Sequence, residues 1–256
     1  MYKNRYFSIR RFANLLKREF HINIKRNLLI IGALYSLLTV IMFLIFQFSQ
    51  DDLPRDMLET FHLAMFFVIL FIGGAFITSF SFIELRDKMK SHFYMLTPGS
   101  NFEKFIVNIL ISLVGYLLFM LMSYLIYSTA FNWMALKVYH IEFGALDIKD
   151  ERFTSIMQAF ILMQSVFFLG AVTFKKFPLI LTPIAGFIVI SVLSVSNEII
   201  EKIVFANLEL KNHYMSRGFG DLFSHYEGIA EVTAFYIIPV ILWYVAYLNL
   251  NEKEYY

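Results

Sequence analysis

Six apolar runs divide the chain, at 28–48, 63–83, 105–131, 154–174, 179–197 and 232–250. Each is close to the roughly 20 residues that carry a helix across about 30 Å of hydrocarbon. The third is longer, which predicts a helix that tilts or projects beyond the bilayer. Only Lys175, Lys176, Phe177 and Pro178 separate the fourth run from the fifth, so these two form an antiparallel pair. The pattern predicts an all-α polytopic membrane protein, with a single six-helix domain over 28–250 and a short tail at 251–256.

Two charged segments carry helical patterns of their own. In residues 1–27, Ile9, Phe12, Leu16, Phe20 and Ile24 fall on one helical face. Arg10, Arg11, Lys17, Arg18, Lys25 and Arg26 occupy the remainder. That distribution predicts an amphipathic helix lying in the headgroup layer with its apolar side on the lipid. In 84–104, Leu85, Met89, Phe93 and Leu96 recur at intervals of three and four. This makes one stripe on a short helix over Glu84–Tyr94. Glu84 and Lys88 lie four apart in the favourable acid-first order. Thr97-Pro98-Gly99 then breaks the chain, and Ser100 opens the next helix with Glu103 three residues on, a capping box. A short amphipathic helix is thereby held against the end of a membrane span, and its geometry suits a handle for a partner protein.

Composition agrees with the pattern. Apolar residues are 59% of 256, with 30 Phe, above the soluble average of roughly 45–50%. A net charge of +2 without a basic-aromatic patch gives no reason to expect nucleic acid. The absence of cysteine excludes disulfides, thiolate catalysis and Cys-based metal sites. With the N-terminus inside, the cytoplasmic segments carry 15 of the 22 Lys and Arg. By the positive-inside rule both termini are then cytoplasmic, as in a multi-pass protein of a bacterial inner membrane, and the 84–104 segment is cytoplasmic too.

The six runs contain no Asp, Glu, Lys, Arg or His. Proton-driven and many ion-driven transporters place ionisable groups at membrane depth, and intramembrane proteases place His, acids or a Ser–His pair there. The stretch Asn197-Glu198-Ile199-Ile200-Glu201-Lys202 lacks the paired glutamates of prenyl-protein proteases. None of the 11 glycines precedes a lysine, so the chain has no phosphate-cradling loop of its own. No catalytic or metal-binding residue is expected. Energy for any work must come from a partner.

The segment Phe82-Ile83-Glu84-Leu85-Arg86-Asp87-Lys88, followed by Leu96-Thr97-Pro98-Gly99-Ser100-Asn101-Phe102-Glu103-Lys104-Phe105, resembles the cytoplasmic loop of permease-like proteins with an L-x-P-x-S-x-x-E-K pattern. With the six-span layout, the chain is similar to the membrane subunit of type-2 ATP-binding-cassette exporters. That resemblance implies a coupling helix between spans two and three, an outer helical cap at 198–231, and pairing with a second copy or a similar permease. It also implies two cytoplasmic ATPase subunits, with ATP and magnesium bound by those partners and no cofactor on this chain.

The expected ATPase-facing residues are Glu84, Leu85, Arg86, Lys88, Met89, Lys90, Phe93 and Leu96, with Pro98, Gly99, Ser100 and Glu103 forming the turn and cap. Ser123, Ser128, Gln164, Ser191 and Ser194 are uncharged polar residues within spans and candidates for a substrate path. The alternative for them is hydrogen bonding between helices or to their own backbone. In the cap, Ile199, Ile200, Ile203, Val204 and Leu208 make a helical face, whereas His213, Asp221, His225 and Glu227 match no standard ligand spacing. A second functional reading is a non-transporting scaffold or sensor that recruits a cytoplasmic partner through the same segment.

Overall fold

The computed structural model describes residues 7–48, 55–139, 146, 151–205 and 233–252. Its regular elements are helices: α1 (Ile9–Phe48), α2 (Arg55–Ser79), a 3₁₀ turn (Ile83–Arg86), α3 (Lys88–Leu96), α4 (Asn101–Ile109), α5 (Tyr116–Tyr139), α6 (Glu151–Thr173), α7 (Pro178–Phe205) and α8 (Ile238–Glu252). A π-helical stretch, Leu110–Gly115, joins α4 to α5, and another, Thr233–Ile237, leads into α8. Among the described residues, five helical stretches are long and apolar enough to cross a membrane: Ile9–Ile45, Thr60–Ser79, Asn101–Val138, Arg152–Thr173 and Pro178–Ser196. The chain has the architecture of a multi-pass helical membrane protein. The run at 232–250 forms a π turn and the 15-residue α8, shorter as a single α-helix than the roughly 20 residues of a span.

Three boundaries differ from the sequence expectation. The N-terminal helix is not separate from the first span, because α1 continues through residues 27 and 28 for 40 residues in all. Nothing in Lys25-Arg26-Asn27-Leu28 breaks a helix: there is no proline or glycine, and Asn27 Oδ1 caps no backbone N–H. The second span ends at Ser79 rather than 83, where the backbone tightens through Phe80 N to Ile77 O (3.2 Å) and Ser81 N to Thr78 O (3.0 Å). The fifth runs on to Phe205, so residues 198–205 of the expected cap extend α7. The rest of the cap, with His213, Asp221, His225 and Glu227, lies outside the described residues, as does the tail beyond Glu252.

Helix α6 sits at the centre, packed against α2, α7 and α8. It reaches α2 through Gly74, where a Cβ would come within 2.7 Å of Phe160 and 2.8 Å of Gln164. It meets α7 where Gly170 abuts Thr182, a small-residue contact that lets two membrane helices approach. The α6–α7 link is as tight as expected. Phe177 takes a φ of 50° to reverse the chain, and Pro178 starts α7, where its missing N–H costs nothing. One apolar cluster joins α1, α2, α5 and α6 around Phe66, Ile69, Tyr124 and Phe160. A second gathers Phe82, Leu85, Tyr94, Phe105, Phe168 and Leu250 beneath α3. This second cluster fixes α3 to the bundle.

Candidate functional site

The 84–104 segment folds as a turn and two helices. Asp87 interrupts it: at φ −99° and ψ 129° it is extended, and its side chain accepts hydrogen bonds from Met89 N (2.9 Å) and Lys90 N (3.4 Å). An aspartate that satisfies the free N–H groups of a following turn starts a helix there and ends whatever preceded it. The handle helix therefore begins at Lys88, not Glu84, and the single apolar stripe is divided. Leu85 is buried, at 8% exposure, in the cluster beneath. Met89, Phe93 and Leu96 point away from the bundle, at 72%, 68% and 79% exposure, with Lys88, Lys90 and His92 also exposed. Helix α3 ends at Thr97, held extended by the Pro98 that follows it.

The other side of α3 is tied to the spans. Tyr94 is buried; its hydroxyl accepts from Asn108 Nδ2 (3.2 Å), and Lys104 Nζ lies 5.2 Å from its ring. Lys104 also donates to Met95 O (3.1 Å), which satisfies a carbonyl in the last turn of α3. The 3₁₀ turn is held from α1, where Arg18 Nη2 bonds both Glu84 oxygens, at 3.0 and 3.1 Å. Arg86 turns inward to Ser79 O, and its guanidinium lies 5.3 Å from the Phe80 ring, with that of Arg26 at 5.2 Å from the same ring. Burial pushes the pKa of both arginines down, and for Arg26 the Arg86 charge adds to it. Glu84, Leu85 and Arg86 thus anchor the handle to the protein and do not lie on its outward face. The sequence placed them outward because an unbroken helix from residue 84 would have done so.

The capping box is present as read: Ser100 Oγ accepts from Glu103 N (3.1 Å), and Glu103 Oε2 accepts from Ser100 N (2.9 Å). Glu103 does more than cap. It is fully buried, and its other oxygen accepts from Ser8 N (2.6 Å) and Arg11 Nη2 (3.0 Å), clamping the start of α1 onto α4. Burial alone would raise its pKa; the bonds from Ser100, Arg11 and Ser8 outweigh that and hold it below the usual carboxylate range. Gly99 lies between, where a Cβ would meet Leu15 at 2.5 Å.

The residues that pattern reading missed are on α1. Its packed stripe is Leu15, Glu19 and Asn23, not the apolar face through Phe12, Leu16 and Phe20. Glu19 accepts from Arg18 Nη1 (2.6 Å) and Asn23 Nδ2 (3.2 Å), and desolvation raises its pKa. A signal was available, since Glu19 is the only acid among the first 27 residues.

The five candidate path residues are not brought together. Gln164 is buried between Thr78, which bonds it directly, and Ser112 O at 3.4 Å. Ser123 bonds Met120 O (3.3 Å) and Tyr35 (3.0 Å), and Ser128 bonds Leu125 O (3.0 Å). Ser191 and Ser194 are on α7, Ser194 exposed. None of the five lines the large groove between α1 and α5. Comparison with family models, curated proteins and solved structures finds no match to this chain.

Proposed function

We propose that the chain is the membrane subunit of an ATP-driven exporter of the type-2 ATP-binding-cassette kind. It would cross a bacterial inner membrane six times with both termini in the cytoplasm. It would work with a second copy or a similar permease and with cytoplasmic ATPase subunits that hold the nucleotide and magnesium. One observation carries this reading: α3 presents Met89, Phe93 and Leu96 uncovered on one side and is fastened to α1 and α4 on the other. Apolar anchors at helical spacing, flanked by Lys88 and Lys90, suit a groove on a partner of mixed apolar and acidic character. Closure of the ATPases would press on α3. Lys104 and Asn108 would pass that motion to α4, and the Arg18–Glu84 pair would pass it to α1.

The test is reconstitution with a candidate ATPase, reading nucleotide-stimulated transport and ATP turnover, for the native chain and for Met89→Ser/Phe93→Ser. The exporter reading expects transport, a change in turnover, and loss of both in the variant. A chain that binds the ATPase yet transports nothing and leaves turnover unchanged is a scaffold.

A further inference from the structure

We propose that the groove between α1 and the α4–α5 helix holds one acyl chain of an anionic phospholipid, with the phosphate beside Lys17 and His21. The inference does not depend on the exporter reading.

The two walls are pinned together at both ends. At one end Ser8 and Arg11 hold Glu103; at the other Tyr35 bonds Ser123 (3.0 Å) and Thr39 bonds Tyr127 (3.0 Å). Between these ties the walls part and leave about 800 Å³, within the range of roughly 300–1,000 Å³ typical of small-molecule sites. Leu16, Phe20, Ile24 and Leu28 form one wall at four-residue steps, facing Val114 and Phe119. The apolar stripe read as lying on lipid therefore flanks a groove.

The groove's one lysine, Lys17, sits at one end only. Lys17 pairs with no carboxylate among the described residues. His21 lies beside it, one turn further along α1, with Nδ1 donating to Lys17 O (2.8 Å). From His21 to Ile31 the helix rises about 15 Å, half of the roughly 30 Å hydrocarbon layer. A cationic mouth on an apolar slot one leaflet deep fits a single chain with an anionic head; basic residues at a membrane surface favour anionic lipid. The π-helical stretch shapes the opposite wall, and its last residue is Gly115, which lines the groove. A Cβ on Gly115 would meet only Leu110 O, at 3.4 Å, so a larger side chain there would project into the groove without displacing packed neighbours.

The experiment is native mass spectrometry of the full chain in detergent, titrated separately with dioleoyl-phosphatidylglycerol, dioleoyl-phosphatidylcholine and sodium phosphate. We expect one phosphatidylglycerol retained, phosphatidylcholine held about tenfold more weakly, and no retention of phosphate. Gly115→Leu should abolish lipid retention, and Lys17→Glu should weaken phosphatidylglycerol about tenfold while leaving phosphatidylcholine unchanged. If Gly115→Leu does not fold, Val114→Trp fills the same space from a half-exposed position and decides the matter. Equal retention of both lipids at mixed stoichiometry, unchanged binding in the groove-filling variant, or capture of phosphate alone would each overturn the proposal.

Discussion

Arg18 and Glu84, 66 residues apart in sequence, meet in a two-pronged ion pair in which Arg18 Nη2 lies 3.1 Å from one carboxylate oxygen and 3.0 Å from the other. The same guanidinium bonds Glu19 at 2.6 Å, so one cation serves two carboxylates. The three side chains are unequally exposed: Arg18 and Glu84 are partly open to solvent, whereas Glu19 is 5% exposed.

That inequality predicts unequal costs. Glu84→Gln removes one side of a partly screened pair and should cost about 1 kcal/mol. Arg18→Gln also strands the buried Glu19 carboxylate and should cost about 3 kcal/mol. Adding Glu19→Gln to Arg18→Gln should recover most of the difference. Thermal unfolding of the purified variants in detergent checks the order; equal losses for Glu84→Gln and Arg18→Gln would remove the argument.

Glu103 and Glu19 give opposite pH signatures. The folded pKa of Glu103 is depressed, so its contribution is fully present above the ordinary value of 4.5 and is lost as pH falls through the lower folded value. The stability gap between native chain and Glu103→Gln should thus be constant above that point and close below it. The folded pKa of Glu19 is raised, so its ionised form opposes folding, fully so above the folded pKa and not at all below 4.5. Any gain from Glu19→Gln should be largest near neutrality and shrink on acidification. Unfolding midpoints of the three proteins against pH test both signs.

The glycines divide by what surrounds them. A Cβ at Gly32 meets nothing within 4 Å, so Gly32→Ala should be neutral or stabilise by up to about 1 kcal/mol through helix propensity. At Gly74 the new methyl would crowd Phe160 and Gln164, and Gly74→Ala should cost about 1–3 kcal/mol. A fall in Tm for both would show that the α2–α6 approach is not what Gly74 provides.

How much could be read beforehand follows from the range of each interaction. The Ser100–Glu103 box and the Lys175–Pro178 link are local, set by residues within a turn of one another, and spacing revealed both. The break at Asp87 was equally local, but a four-residue apolar rhythm overrode it; the aspartate's competing bond to Met89 N was the stronger signal. The pairs Arg11–Glu103 and Arg18–Glu84 depend on how the helices are set side by side, which no periodicity states. The packed face of α1 was misjudged for a related reason. Beside the charged turn at Glu84–Arg86 the neighbours are polar, so Glu19 and Asn23 turn inward and the apolar stripe turns to the groove. Ser123 and Ser128 bond carbonyls of their own helix, the alternative to a path that their sequence positions left open.

The outward face of α3 carries the functional account, and a photo-crosslinking amino acid placed at Phe93 in living cells interrogates it most directly. The account predicts one dominant adduct, to a soluble nucleotide-binding ATPase, that disappears when Met89 and Leu96 are also changed to serine. Adducts to lipid alone, or to a partner without a nucleotide site, would contradict it.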